Sequence, residues 1–132
     1  MALQTDPDPD PEPVPAVRYL AVTFDCSDPV ELARFYSAAL GLPVTRSTDG
    51  FALVDREGSP GLGFYRLDDY RRPTWPDPSV PKQAHLELGV DDLDAAQTRL
   101  VALGAVAADV QPVPGRRRVL LDPAGHPFCI TL

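Results

Sequence analysis

Few side chains in this sequence can do more than simple charge pairing. There are two histidines, His85 and His126, and two cysteines, Cys26 and Cys129. His85 and Glu87 stand two residues apart in the run QAHLELGV, where apolar residues alternate with others. A strand puts alternate side chains on one face, so the imidazole and the carboxylate would lie side by side. Such a pair can move a proton or orient a polar group of a ligand. Cys129 alternates with Phe128 and Ile130 in PFCITL and falls on the face opposite them. It reads most simply as a small buried residue. A reactive thiolate would need a cation nearby, and none stands beside it in the sequence. His126 sits in DPAGHP, where a turn role is the plain reading. There is no GxSxG, no P-loop and no dinucleotide fingerprint.

The elements that must hold these residues occur twice. Residues 17–26 read as a strand with Leu20, Val22 and Phe24 on one face. Asp28 is suited to cap a helix, Pro29 to its first turn, and Glu31 completes a capping-box spacing. Leu32, Phe35, Tyr36 and Leu40 recur at helical intervals, and Gly41 ends the run. Three short strands are predicted at 43–48, 50–54 and 61–67. The order then returns: a strand at 83–90, Asp92 opening a helix with Leu93, Ala96, Leu100 and Leu103 inward, and Gly104 as its stop. Strands follow at 106–111, Arg117–Leu121 and 127–132. Asp28 and Asp92 lie 64 residues apart, each before an amphipathic helix ending in Leu-Gly. This predicts two copies of one βαβββ unit. Neither copy could bury enough surface alone, so they should pair into one body.

Composition narrows the class. The chain has 132 residues, 44% of them hydrophobic and 23% charged, a globular balance. No apolar run approaches the roughly 20 residues of a membrane span. The net charge of −7 argues against a nucleic-acid partner. Residues 1–16 carry five prolines and four acids with no basic residue, which predicts a disordered or polyproline-like tail. Those four acids account for more than half of the net charge, so the acidity says little about a ligand. The tail lacks the basic start and apolar core of a secretory signal. The expected location is therefore cytoplasmic, with Cys26 and Cys129, 103 residues apart, as reduced thiols.

The segments ELARFYSAALGLPV after Asp28, HLELGVDDLDAAQTRLVALGA and LLDPAGHPFCITL resemble the vicinal oxygen chelate superfamily, the glyoxalase/bleomycin-resistance fold. The resemblance covers residues 17 to 132. It implies an α+β fold of two tandem βαβββ modules. Their curved mixed sheets would form an incomplete barrel around a cavity, with the helices outside. Module one would be 17–68, the connector 69–82 and module two 83–132. Alternation supplies the helix-facing set: Leu20, Val22, Phe24, Leu62, Phe64, Leu86, Leu88, Val90, Phe128, Ile130 and Leu132. The opposite faces hold Tyr19, Ala21, Thr23, Gly63, Tyr65, Gln83, His85, Glu87, Cys129 and Thr131, a mixed set suited to a pocket.

Metalloenzymes of the superfamily hold a divalent cation with four side chains, one each from strands one, four, five and eight. Carried onto this chain, the pattern finds His85 on strand five. It finds Ala21 on strand one, Gly63 or Tyr65 on strand four and Cys129 on strand eight, none of them the expected ligand. No cofactor is therefore predicted, and His85 is the one matching metal position. The reading that follows is a small-molecule-binding protein whose pocket is lined by Tyr19, Thr23, Tyr65, His85, Glu87 and Cys129. Trp75, in the proline-rich connector, either covers the pocket mouth or pins the connector to the wall. Arg116, Arg117 and Arg118 read as a solvated turn or, more sharply, as a site for an anion. The alternative is an enzyme, a lyase, isomerase or dioxygenase, with a non-standard metal site or with His85/Glu87 acid–base chemistry. A third reading is an accessory module with a vestigial pocket. The resemblance also implies a homodimer.

Overall fold

The structure is a computed structural model and describes residues 16–132; the tail expected over 1–16 therefore lies, but for Ala16, outside the described residues. The order is β1 (Ala21–Cys26), α1 (Pro29–Leu40), β2 (Val44–Ser47), β3 (Phe51–Arg56) and β4 (Ser59–Arg66), then β5 (Glu87–Gly89), α2 (Leu93–Leu103), β6 (Val106–Ala107), β7 (Arg117–Leu121) and β8 (Pro127–Thr131). The two sheets have the same plan, β1-β4-β3-β2 and β5-β8-β7-β6. In each, the first strand runs parallel to the last and the other pairs are antiparallel. The sheets remain separate, so the barrel is open. This is the α+β arrangement of two βαβββ modules that the repeat predicts.

Both helices begin alike. Asp28 and Asp92 are extended, and each side chain accepts a backbone N–H three residues on, at 3.1 and 3.0 Å. Each cap satisfies one of the donors a helix start leaves free, worth about 1 kcal/mol. Gly41 ends α1 at φ 69°, a left-handed conformation open to glycine at little cost.

One apolar cluster joins the modules. Leu32, Phe35 and Tyr36 of α1 pack with Val54 and Phe64 of module one and with Leu120, Phe128 and Ile130 of module two. Tyr36 stacks on Phe64 at 5.5 Å between ring centres and meets Phe128 edge-on at 6.3 Å. Burying such side chains stabilises by roughly 1.5–3 kcal/mol each. The helix-facing set packs as alternation predicts, with two exceptions. Leu20 and Leu132 are 71% and 66% exposed, because both lie past the ends of their strands, beyond the helices' cover.

The buried polar centre of this seam is Asp122, in the turn between β7 and β8. One carboxylate oxygen accepts the Tyr36 hydroxyl at 2.6 Å; the other accepts the Ala124 and His126 N–H groups at 2.9 and 3.0 Å. Burial pushes this carboxyl above its ordinary range, against the pull of the Tyr36 hydrogen bond. His126 Nε2 lies 2.6 Å from the Asp25 carbonyl of β1, a second tie between the modules.

Two predicted strands are shorter than expected. The segment 83–90 narrows to Glu87–Gly89, and 106–111 to Val106–Ala107. In the second case a side chain replaces the missing ladder. The Gln111 amide donates to the Ala108 and Val119 carbonyls at 2.9 and 2.7 Å and accepts the Val119 N–H at 2.9 Å. It stands in for a peptide unit and fixes the segment that follows.

Candidate functional site

The candidate side chains of module two lie on the sheet face turned away from the helices. Glu87 pairs with Cys129, and Cys129 with Val119, so these three form one row across β5, β8 and β7. His85 lies just before β5, and its Nε2 is 3.3 Å from Glu87 Oε1. Arg117 Nη1 lies 3.6 Å from the same oxygen. Above this row is a cavity of about 190 Å³ lined by Lys82, His85, Arg117, Val119, Pro127 and Cys129, with Trp75, Pro112 and Val113 at its walls.

Two loops complete these walls, and each is held by local hydrogen bonds. Thr74 exchanges backbone and hydroxyl bonds with Val80 and Asp77, and the Asp77 carboxylate accepts from both the N–H and the hydroxyl of Ser79. Those bonds hold the Asp77 carboxyl below its ordinary range. They place half-buried Trp75 in the wall of the cavity. On the other side the Gln111 amide sets the start of the Pro112–Val113 wall.

The predicted site residues divide. Trp75, His85 and Cys129 share the cavity, and Glu87 joins them through His85. Thr23 lines a different hollow of about 420 Å³, between β1, the connector and His126. Tyr19 and Tyr65 are 64% and 52% exposed, and neither lines the cavity. The arginine run divides by face. Arg117 turns to the cavity, whereas Arg118 reaches the helix side and pairs with Asp94 of α2 at 2.6 Å. Lys82, Pro112, Val113, Val119 and Pro127 were not among the predicted lining. Pro127 could have been found, since it stands two residues from Cys129, which the face set already held; Val119 had no such neighbour, because no face was assigned to Arg117. The loop residues had no such signal.

Cys129 is buried, and that burial raises its thiol pKa against the pull of Arg117 and Lys82. Cys26 is pushed up to about 11 by burial. Both thiols are free. A neutral thiol on the cavity floor is a contact surface rather than a nucleophile.

The superfamily's four-ligand cation set does not fit these residues. Ala21 and Gly63 bring no donor side chain, and Tyr65 points to a different surface from His85. The donors that do meet are His85, Glu87 and Cys129, one atom of each within 4.8 Å of the others, all from module two. That is another donor set, with a thiol and without a contribution from module one.

Two paired βαβββ modules with a side-chain-lined hollow on an open sheet face define the glyoxalase/bleomycin-resistance class of fold. Residues 21–131 match the family described as glyoxalase-like domain, and the chain belongs to that family. Solved structures agree on the fold. A glyoxalase-related enzyme from Fulvimarina pelagi is 21% identical with a TM-score of 0.63, over 86% of each chain. A glyoxalase/bleomycin resistance protein/dioxygenase family enzyme from Burkholderia phytofirmans PsJN is 20% identical with a TM-score of 0.66, over 86% of this chain and 97% of that one. The bleomycin-binding protein of Streptomyces verticillus, solved with copper(II)-bleomycin, is 20% identical with a TM-score of 0.54, over 88% and 98%. No curated protein matches the sequence. Among the described residues no helix is long and apolar enough to cross a membrane.

Proposed function

We propose that this protein binds a small organic molecule in the module-two cavity, without the four-ligand cation site of the superfamily's metalloenzymes. The observation that carries this is the meeting of Trp75, His85 and Cys129 around one hollow with mostly apolar walls. Apolar walls supply affinity and a few polar groups supply orientation. The Streptomyces verticillus protein, which shares the fold, gives a precedent for an organic ligand. Two free thiols suit a reducing, cytoplasmic setting. A homodimer and co-folding of 17–132 as one unit belong to the same reading. Light scattering at micromolar concentration tests the first, and a monomer there removes it.

The test of binding uses Trp75, the single tryptophan. A library of small organic molecules is screened by thermal shift, and hits are titrated by tryptophan emission. Hits are expected to raise Tm and change emission in the wild type, and to lose affinity in Cys129→Leu, which fills the floor. A screen without a saturable hit overturns the reading.

One contact favours a second reading, acid–base catalysis: the 3.3 Å approach of His85 Nε2 to Glu87 Oε1. Turnover of a bound hit, lost in both His85→Ala and Glu87→Gln while binding persists, would move the assignment to enzyme.

A further inference from the structure

The binding reading leaves open which chemistry the cavity selects, and its charges are unbalanced. Lys82 is half-buried in the cavity wall, and no carboxylate lies within ion-pair distance of it among the described residues. Arg117 lines the same cavity, and among the described residues its one acidic neighbour within ion-pair distance is Glu87, at 3.6 Å. Glu87 spends the same oxygen on His85. Among the described residues, then, one carboxylate is shared by Arg117 and His85, and Lys82 has none. An ammonium taken partly out of water without a counter-ion is costly, and an arriving anion would offset that cost. The rest of the lining, Trp75, Pro112, Val113, Val119 and Pro127, offers apolar surface and no competing acid. The protein as a whole carries net charge −7, so this positive spot is local rather than part of a general basic surface.

We infer that the cavity takes a small organic carboxylate: an apolar body against Trp75 and the proline–valine walls, with its anionic head between Lys82 and Arg117. This deepens the binding reading and rests on it. Glu87 then acts as the cavity's built-in competitor for Arg117, a counter-ion that the ligand head partly replaces. The His85–Glu87–Cys129 cluster makes a clear alternative. If it held a cation, Glu87 would be a ligand and its loss would weaken function; in an anion site its neutralisation strengthens binding.

The experiment compares benzoate, benzamide and benzylammonium, matched in their ring and different in charge, by Trp75 emission and by calorimetry. Benzoate is expected to bind about tenfold or more tightly than benzamide, since the amide keeps one acceptor oxygen but loses the negative charge and the second oxygen that face the two cations. Benzylammonium is expected to bind weakest. Lys82→Gln and Arg117→Gln should each weaken benzoate about tenfold and weaken benzamide clearly less, because only benzoate loses a charge–charge contact. Glu87→Gln should tighten benzoate several-fold. Circular dichroism and Tm confirm that each variant is folded. Equal binding of benzoate and benzamide overturns the anion assignment while the binding reading stands. Failure of all three to give a saturable response overturns the carboxylate assignment, whereas the binding reading falls only with a library screen that yields no saturable hit. Stoichiometric zinc in protein purified without chelator, lost in Glu87→Gln together with benzoate binding, assigns the cluster to a cation and overturns the proposal.

Discussion

Ala21, Thr23 and Gly63 in module one hold the places that His85, Glu87 and Cys129 hold in module two. Ala21 and His85 each stand seven residues before their cap aspartates, and Thr23 and Glu87 five. Thr23 pairs across its sheet with Gly63 as Glu87 pairs with Cys129. On the helix side the two copies agree in kind: Val22 and Phe24 face α1's layer as Leu86 and Leu88 face α2's, and Phe64 matches Ile130. On the open side they share almost nothing. The helix side is close-packed, and a truncation there costs about 2–5 kcal/mol. The open side mixes buried positions such as Gly63 and Cys129 with exposed ones such as Thr23, His85 and Glu87, and the exposed ones can differ at little cost to the fold.

Module one packs its sheet closely around Gly63, although Thr23 on the same row also borders the 420 Å³ hollow. A Cβ added to Gly63 would lie 2.6 Å from Thr23 Oγ1 and 3.1 Å from the Phe51 ring. Arg46 lies over that ring at 5.8 Å from its centre. Phe51 thus covers the sheet at Gly63 and leaves no room there for a longer side chain. Module two keeps its face clear: the rim is carried by loops, and the floor by Cys129 and Val119.

The largest expected effect tests the turns. In module two the β7–β8 turn reaches across to α1 through Asp122; in module one the β3–β4 turn around Glu57 and Gly58 sits in solvent. Asp122→Ala should cost about 3 kcal/mol or more, by stranding the Tyr36 hydroxyl and two N–H groups. Glu57→Ala should stay within about 0.5 kcal/mol. Urea unfolding measures both, and equal effects would erase the contrast. The pH dependence has a definite sign. The Asp122 carboxyl is raised in the folded state, so its contribution is full below the ordinary carboxylate pKa and is lost as pH rises through the folded value. Wild type should therefore lose stability relative to Asp122→Asn on going from about pH 4 upward. Parallel curves would count against the burial argument.

Smaller effects sharpen the open-face contrast. Gly63→Ala should cost about 1–3 kcal/mol, the range for overpacking a filled site. Cys129→Ala, at the matching position, should cost about 1 kcal/mol and leave the fold's cooperativity intact. A neutral Gly63→Ala would show that the packing of Thr23 and Phe51 around Gly63 is looser than these distances imply. The smallest effect is one of likeness: Asp28→Ala and Asp92→Ala should each cost about 1 kcal/mol, because the two caps share one geometry. Unequal losses would show that the repeat is looser at its helix starts than the structure indicates.

Much of this was legible in the residues. The Asp-capped, Leu-Gly-ended helices and the alternating strands are local patterns, and a local pattern states its own period and its own face. The repeat, the helix-facing set and the His85–Glu87 adjacency therefore followed from order along the chain. Tertiary structure decided what depends on partners far apart in sequence. Gln111 replaced part of a predicted strand because its amide reaches Val119. Arg117 and Arg118 parted because consecutive strand residues face opposite ways, and only the packed sheet says which side holds the cavity. The polar groups proposed for one pocket lie around several hollows because the two sheets do not close on each other. Alternation tells which face a side chain takes; which faces enclose a common space is set by how the sheets pack, and no run of neighbouring residues encodes that by itself.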